Sequence, residues 1–135
     1  MKFFMGIRIT ITRIHKPVTK NINEELQWLG NSLGLFNLRD KDKSCFRIFI
    51  ELLKTTKQGI PLTSDQLAEK LQLTRGTVVH HIHRLNESGI VVQEKSGYRL
   101  RVENLSRLID EIENDLTDAC KELREIAHEI DRKLK

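Results

Sequence analysis

The chain has 135 residues, 39% hydrophobic and 31% charged, with 23 Lys or Arg against 19 Asp or Glu and a formal net charge of +4. That length suits one domain, or one domain with an appendage, around a modest core. It holds no run of about 18 apolar residues, and Phe3–Ile7 is too short for a signal-peptide core and is followed by no small-residue cleavage site, so a soluble cytoplasmic chain is expected rather than a membrane-spanning or exported one.

Residues 1–20 lack a helical period, but Ile7, Ile9 and Ile11 alternate with Arg8, Thr10 and Thr12 before Pro17, which predicts a strand. It reads as a peripheral strand or tail, a basic arm reaching a nucleic acid, or a strand exchanged with a partner chain. Met5 is an alternative start of translation. Over 21–36, Ile22, Leu26, Leu29, Leu33 and Phe36 are spaced 4, 3, 4, 3, predicting a first helix whose stripe needs a cover; Trp28 lies off its centre, and Gly30 and Gly34 permit close packing. A polar connection over 37–43 offers Asp40 or Asp42 as a cap. The helix after it, about 43–57, places Phe46, Phe49, Ile50 and Leu53 at i, i+3, i+4 and i+7, a core stripe and not a base-stacking platform. Gln58–Pro61 ends that helix and is a candidate third strand.

The most informative stretch is 62–102. Thr63 with Gln66 has the capping-box form, and Leu67, Ala68 and Leu71 then share one face of a short helix. Gln72–Thr74 is a turn, with Leu73 pinning the corner and Thr74 capping the next helix, which runs over about 75–88 until Gly89 ends it. Val78, Ile82 and Leu85 fall within about 60° of one another and form its buried stripe. The opposite face carries Gly76, Thr77, His80, His83, Arg84 and Glu87, with Arg75, Val79 and His81 on the flanks. An exposed face of donors beside an apolar stripe suits the major groove, where base edges are read by hydrogen bonds and methyl contacts. Beyond Gly89 the period becomes two: Ile90 and Val92, a turn over 94–97, then Tyr98, Leu100 and Val102 alternating with Arg99 and Arg101. This predicts a hairpin wing whose arginines reach phosphates.

From 104 to 135 there is no proline or glycine, and Leu105, Ile109, Ile112, Leu116, Ala119, Leu123, Ile126 and Ile130 keep the 4, 3 rhythm of a heptad seam. About 30 helical residues extend about 45 Å, more than a small domain covers. Either the helix folds back or part of it meets another chain.

The runs Leu67–Leu71 and Leu73–Val91 together resemble the ArsR-like winged helix-turn-helix regulators, in which a capped TVxxHLxxLxxxGlV segment is the recognition helix and the entry to the wing. With Arg39–Lys43 and the helix after it, the chain resembles small archaeal regulators of the archaellum-expression type. The resemblance implies a mainly α fold with a small β-hairpin wing, a DNA-binding domain over 21–102, and a dimer held by the first and last helices. Leu26, Leu29 and Leu33 would pair in the one, and Ile109, Ile112, Leu116, Leu123, Ile126 and Ile130 in the other. The thiolate-rich motif of the arsenic sensors is missing from Leu67–Leu73, and His128, Asp131, Asp110 and Asp118 only partly match the terminal-helix metal sites of some relatives.

Charge distribution agrees with a nucleic-acid partner: residues 1–102 carry 17 Lys or Arg against 9 Asp or Glu, and 103–135 carry 6 against 10. Cys45 and Cys120 read as small packing residues, with redox sensing as a lesser alternative. His80, His83 and Glu87 share a face that could hold a metal, but the fold turns that face toward DNA. His15 has no evident partner. No nucleophile constellation, glycine-rich phosphate loop or paired-carboxylate cleft occurs, so an enzyme is not expected, nor is a cofactor or metal.

The resulting expectation is a homodimeric, sequence-specific transcription regulator. Arg75, Gly76, Thr77, His80, His81 and Arg84 would contact double-stranded DNA from the recognition helix. Lys95, Arg99 and Arg101 would contact it from the wing. The alternative is a winged-helix protein-interaction module that meets a general transcription factor or RNA polymerase without reading DNA.

Overall fold

The computed structural model describes residues 8–18, 21–36 and 43–135. Its elements are α1 (Ile22–Ser32), α2 (Ser44–Lys57), α3 (Ser64–Leu71), α4 (Arg75–Glu87), β1 (Val91–Glu94), β2 (Gly97–Leu100) and α5 (Leu105–Lys133). Contacts divide the chain into two units, residues 1–103 and 104–135.

The first unit is built around α2. Ile48, Phe49, Leu52 and Cys45 on that helix are fully buried with Leu67 of α3, Val78 and Leu85 of α4 and Val91 of β1. The expected stripe of Phe46, Phe49, Ile50 and Leu53 is only partly the buried one. Phe46, Ile50 and Leu53 are half-buried, while the face through Cys45, Ile48, Leu52, Thr55 and Thr56 is inside. The helix is therefore turned about a quarter-turn from the sequence expectation. It is apolar on several sides, so its own period does not fix which side meets α3, α4 and β2.

Two side chains fix α3 on α2. Arg47 Nη2 donates to the Leu71 carbonyl at the end of α3, a cation meeting the negative end of a helix. Lys70 Nζ lies 2.7 Å from Glu51 Oε2. Cys45 packs as expected, with Sγ 3.1 Å from the Leu35 carbonyl, whereas Cys120 is exposed on α5 rather than packed.

α1 is shorter than the predicted 21–36. It is capped by Asn21, whose side chain accepts from the Asn23 and Glu24 amides, and it stops after Ser32. Leu35 N–H then returns to the Gly30 carbonyl at 2.9 Å, and Phe36 folds onto Gly30, where an added Cβ would sit 1.7 Å from the ring. Gly30 thus serves a close approach by Phe36 rather than by another helix. Phe36 in turn meets Phe46 and Phe49 edge to face, with ring centroids 5.2 and 6.2 Å apart.

The predicted N-terminal strand is not formed within residues 8–18; Ile7 lies outside the described residues, as do Asp40 and Asp42. Residues 8–18 instead form no regular element and are tied by Arg8 N–H to the Glu87 carbonyl at 2.9 Å and Thr12 N–H to the Ser32 carbonyl at 2.8 Å. Trp28 Nε1 donates to the Ile14 carbonyl at 3.0 Å. An isolated strand needs a sheet edge, and the wing supplies none to this segment.

The second unit is α5, 29 residues capped by Asn104, whose side chain accepts from Arg107 N–H. Leu108 and Ile112 are buried; from Thr117 onward almost every residue is exposed. Among the described residues no helix is long and apolar enough to cross a membrane.

Candidate nucleic-acid interface

Local chemistry builds the helix-turn-helix as the sequence indicated. Thr63 and Gln66 form the reciprocal capping box, with the Thr63 amide 2.8 Å from Gln66 Oε1 and the Gln66 amide 3.1 Å from Thr63 Oγ1. α3 ends at Gln72, a non-glycine residue in the left-handed region with φ +56°. Thr74 Oγ1 accepts from the Thr77 amide at 3.2 Å and caps α4. At the other end Gly89 takes φ +78°, and the Gly89 and Ile90 amides close onto the Asn86 and Leu85 carbonyls.

The buried stripe of α4 contains Val78, Ile82 and Leu85 as expected, and also His81. His81 is therefore inside the domain rather than on a surface flank, which removes it from the face open to a ligand. Its position lies about 70° from the stripe centre but only about 40° from Leu85, close enough for the core to take it. Arg84 lies on another side of the helix from Arg75. It is half-buried, its Nη2 points to the Gly34 carbonyl at 3.5 Å, and it lines a 330 Å³ cavity with Arg8, Thr10 and Glu87, away from the start of the helix.

Exposed on α4 are Arg75, Gly76, Val79, His80 and His83, which form a contiguous sector, and Asn86 and Glu87 at its end. Nothing lies within 4 Å of where a Gly76 Cβ would stand, so the backbone there is open to close approach. Thr77 is half-buried and its hydroxyl accepts from Thr74 Oγ1 at 2.8 Å. Val79 offers an apolar contact suited to a thymine methyl that the sequence reading left on a flank.

The wing pairs Val91 with Leu100, Val92 with Arg99, Gln93 with Tyr98 and Glu94 with Gly97, so the turn is Lys95–Ser96. Three anchors hold it. Leu62, rather than the expected Gln58–Pro61, bridges Tyr98 through bonds of 3.0 and 2.7 Å. The buried Thr56 hydroxyl accepts from Leu100 N–H at 2.9 Å, and Asn86 Nδ2 donates to the Val91 carbonyl at 2.9 Å. At Gly97, with φ +143°, an added Cβ would come within 2.5 Å of the Leu62 backbone. Leu62 can cross there only because that position lacks a side chain.

Arg75, Lys95 and the first turn of α3 come together around one polar cavity of about 230 Å³, whose walls include Ser64, Asp65, Gln93 and Tyr98. The charges are partly answered within the domain: Arg75 Nε is 3.4 Å from Asp65 Oδ1 and Arg99 Nη1 is 3.3 Å from Glu94 Oε1. Lys95 is exposed, and Arg99 and Arg101 are half-buried. Asp65 and Glu94 were missed in the sequence because each partner lies in another element or across a turn. His83 Nε2 lies 3.5 Å from Glu87 Oε1, and no group of three or more metal-ligating side chains forms among the described residues.

Helix, turn, capped helix and anchored hairpin define a winged helix-turn-helix. Residues 47–99 match the profile of a family described as HTH domain, a helix-turn-helix of the DNA-binding regulator kind. The match covers less than half of the chain, and it includes α3, α4, β1 and all but the last residue of β2. No curated protein and no solved structure matches the chain.

Proposed function

We propose that this chain is a sequence-specific DNA-binding transcription regulator that works as a homodimer, with α4 in the major groove and the wing on the backbone or in the minor groove. The observation that carries it is the contiguous exposed sector of Arg75, Gly76, Val79, His80 and His83, which meets Lys95 at the rim of one polar cavity. Such a surface offers donors, an open backbone and a methyl contact to base edges, with a cation beside it for phosphate. The ArsR-like resemblance of residues 67–91 supports the same assignment and a two-fold pairing. Its place of work would be the cytoplasm, with the DNA.

Of the expected dimer residues, Leu33 and Ile112 are buried within the chain and unavailable to a partner, and Leu26, Leu29 and Leu116 are half-buried. The exposed ones are Ile109, Leu123, Ile126 and Ile130. The second reading, a docking module for a transcription factor or polymerase, is favoured by the acidic balance and exposed apolar positions of α5.

Selection of bound fragments from a random DNA pool at near-physiological salt separates the two. The expected result is a palindrome whose half-sites lie about ten base pairs apart, one turn of DNA, as a two-fold pair of recognition helices requires. Recovery of unrelated sequences, with binding that vanishes as salt rises, would leave the docking reading.

A further inference from the structure

The last part of α5 carries an apolar seam with nothing over it in the single chain. Leu123 is 69% exposed, Ile126 60% and Ile130 48%, and Leu134 just past the helix is 80% exposed. Yet the helix continues unbroken to Lys133. Most of a helix's stability in a protein comes from packing of its apolar face, so the seam calls for a partner.

The heptad register names the partner and its direction. With Ile109, Leu116, Leu123 and Ile130 at a and Leu105, Ile112, Ala119 and Ile126 at d, the g positions from Asp115 on are Asp115, Glu122 and Glu129. The e positions are Glu113, Cys120 and Ala127, followed by Leu134. In a parallel pair each g side chain faces the e side chain of the following heptad on the other helix. Asp115 then meets Cys120, Glu122 meets Ala127 and Glu129 meets Leu134, so no acid faces an acid. In an antiparallel pair g faces g, and every register sets this acidic row against itself. Glu129 is already offset by Arg132 and by Lys133, whose Nζ is 3.8 Å away, so the sharpest clash is Glu122 against its own copy.

The parallel seam is also self-complementary in shape. Each layer meets its own kind, and the narrow Ala119 layer is flanked by Leu116 and Leu123. A three- or four-stranded bundle would bury the acidic g flank, which limits the assembly to two strands.

We propose that α5 from Leu116 to Ile130 pairs in parallel with the same segment of a second copy of this chain, through the layers of Leu116, Ala119, Leu123, Ile126 and Ile130. This rests on the dimeric reading above and adds its direction and register. Both helix-turn-helix units then emerge from the same end of the pair, the arrangement that lets two recognition helices address one face of a duplex.

The test uses the full chain with Cys120→Ser, leaving the buried Cys45 in place, and adds Ile126→Cys, a site exposed enough to tolerate the change. Circular dichroism checks the helix content, and sedimentation equilibrium measures the mass of the reduced protein. Under oxidised glutathione the parallel pair sets the two new thiols side by side at an effective concentration of millimolar, so at micromolar protein a covalent dimer forms about a thousandfold faster than between separate chains.

Cross-linking of Ile126→Cys alone in a protein of dimer mass is the expected result. Mixtures of Leu116→Cys with Ile126→Cys, and of Leu123→Cys with Ile126→Cys, report the two antiparallel registers that keep most of the seam covered. Cross-linking confined to a mixture overturns the direction and leaves the dimer standing, as does a dimer that forms no bond in any combination. A monomer at all concentrations overturns the dimeric reading together with this one.

Discussion

Two arginines on the recognition helix, nine positions apart, have different surroundings and so different expected roles. Arg75 is exposed at the first turn, and its ion pair with Asp65 is solvated on both sides, 75% and 74% exposed. Such a pair contributes little to stability. Asp65 therefore orients the guanidinium without holding it, and DNA displaces the pair at small cost. Arg84 is tucked toward the Gly34 carbonyl. Arg75→Ala is expected to weaken specific binding by about 1 to 3 kcal/mol, the range for a bidentate contact to guanine, with a smaller loss on random duplex. Arg84→Ala should leave the ratio of specific to random affinity unchanged. Fluorescence anisotropy on the selected site and on a scrambled duplex checks both. Equal losses on the two duplexes would make Arg75 a phosphate contact.

At the scale of elements, the wing holds its place through few bonds, and Gly97 is the point where they depend on one residue. Gly97→Ala would drive a Cβ into the Leu62 backbone at 2.5 Å, and neither Leu62 nor Tyr98 can move without losing the bridge between them. The expected destabilisation is about 1 to 3 kcal/mol, the usual cost of overpacking, read as a lower midpoint in urea. An unchanged midpoint would show that the Leu62 crossing is dispensable.

The elements legible in the sequence were those whose signals are local. The Thr63–Gln66 box, the Thr74 cap, the Val78–Ile82–Leu85 stripe and the alternation after Gly89 each act within a few residues, and each is present. What was not legible depended on partners far along the chain. The quarter-turn of α2 is set by α3, α4 and β2 together, and the burial of His81 by which sector of α4 that packing covers. The early end of α1 comes from Phe36 returning to Gly30. The 4, 3 spacing of Leu33 and Phe36 imitates a continuing helix, although those two residues belong to the reversal after it. The same limit applies to the candidate site: Arg75 and Lys95 were readable as basic surface positions, but the Asp65 and Glu94 that offset Arg75 and Arg99 were not.

For the whole molecule the division of charge has a measurable consequence. Residues 1–102 hold 17 basic against 9 acidic side chains, while 103–135 hold 6 against 10, so the modest net charge of +4 hides a strongly cationic first unit. Affinity for DNA should follow the cations that touch phosphate and not the net charge, because each neutralised phosphate releases condensed counterions. If the wing's Lys95, Arg99 and Arg101 act in both protomers, about six phosphates are neutralised, and the slope of log K against log salt is about −5. Binding to any duplex should then fall about a thousandfold between roughly 50 and 200 mM salt. Arg99→Ala should lower the slope by at most about one ion per protomer, because Glu94 already takes part of its charge, and should weaken all sequences alike, since a wing arginine meets backbone and not base edges. Titrations at several salt concentrations, on the selected site and on random DNA, give both slopes. A slope near half the expected value would mean that one protomer carries the binding, and a slope near zero would remove the phosphate grip that DNA recognition by this surface requires.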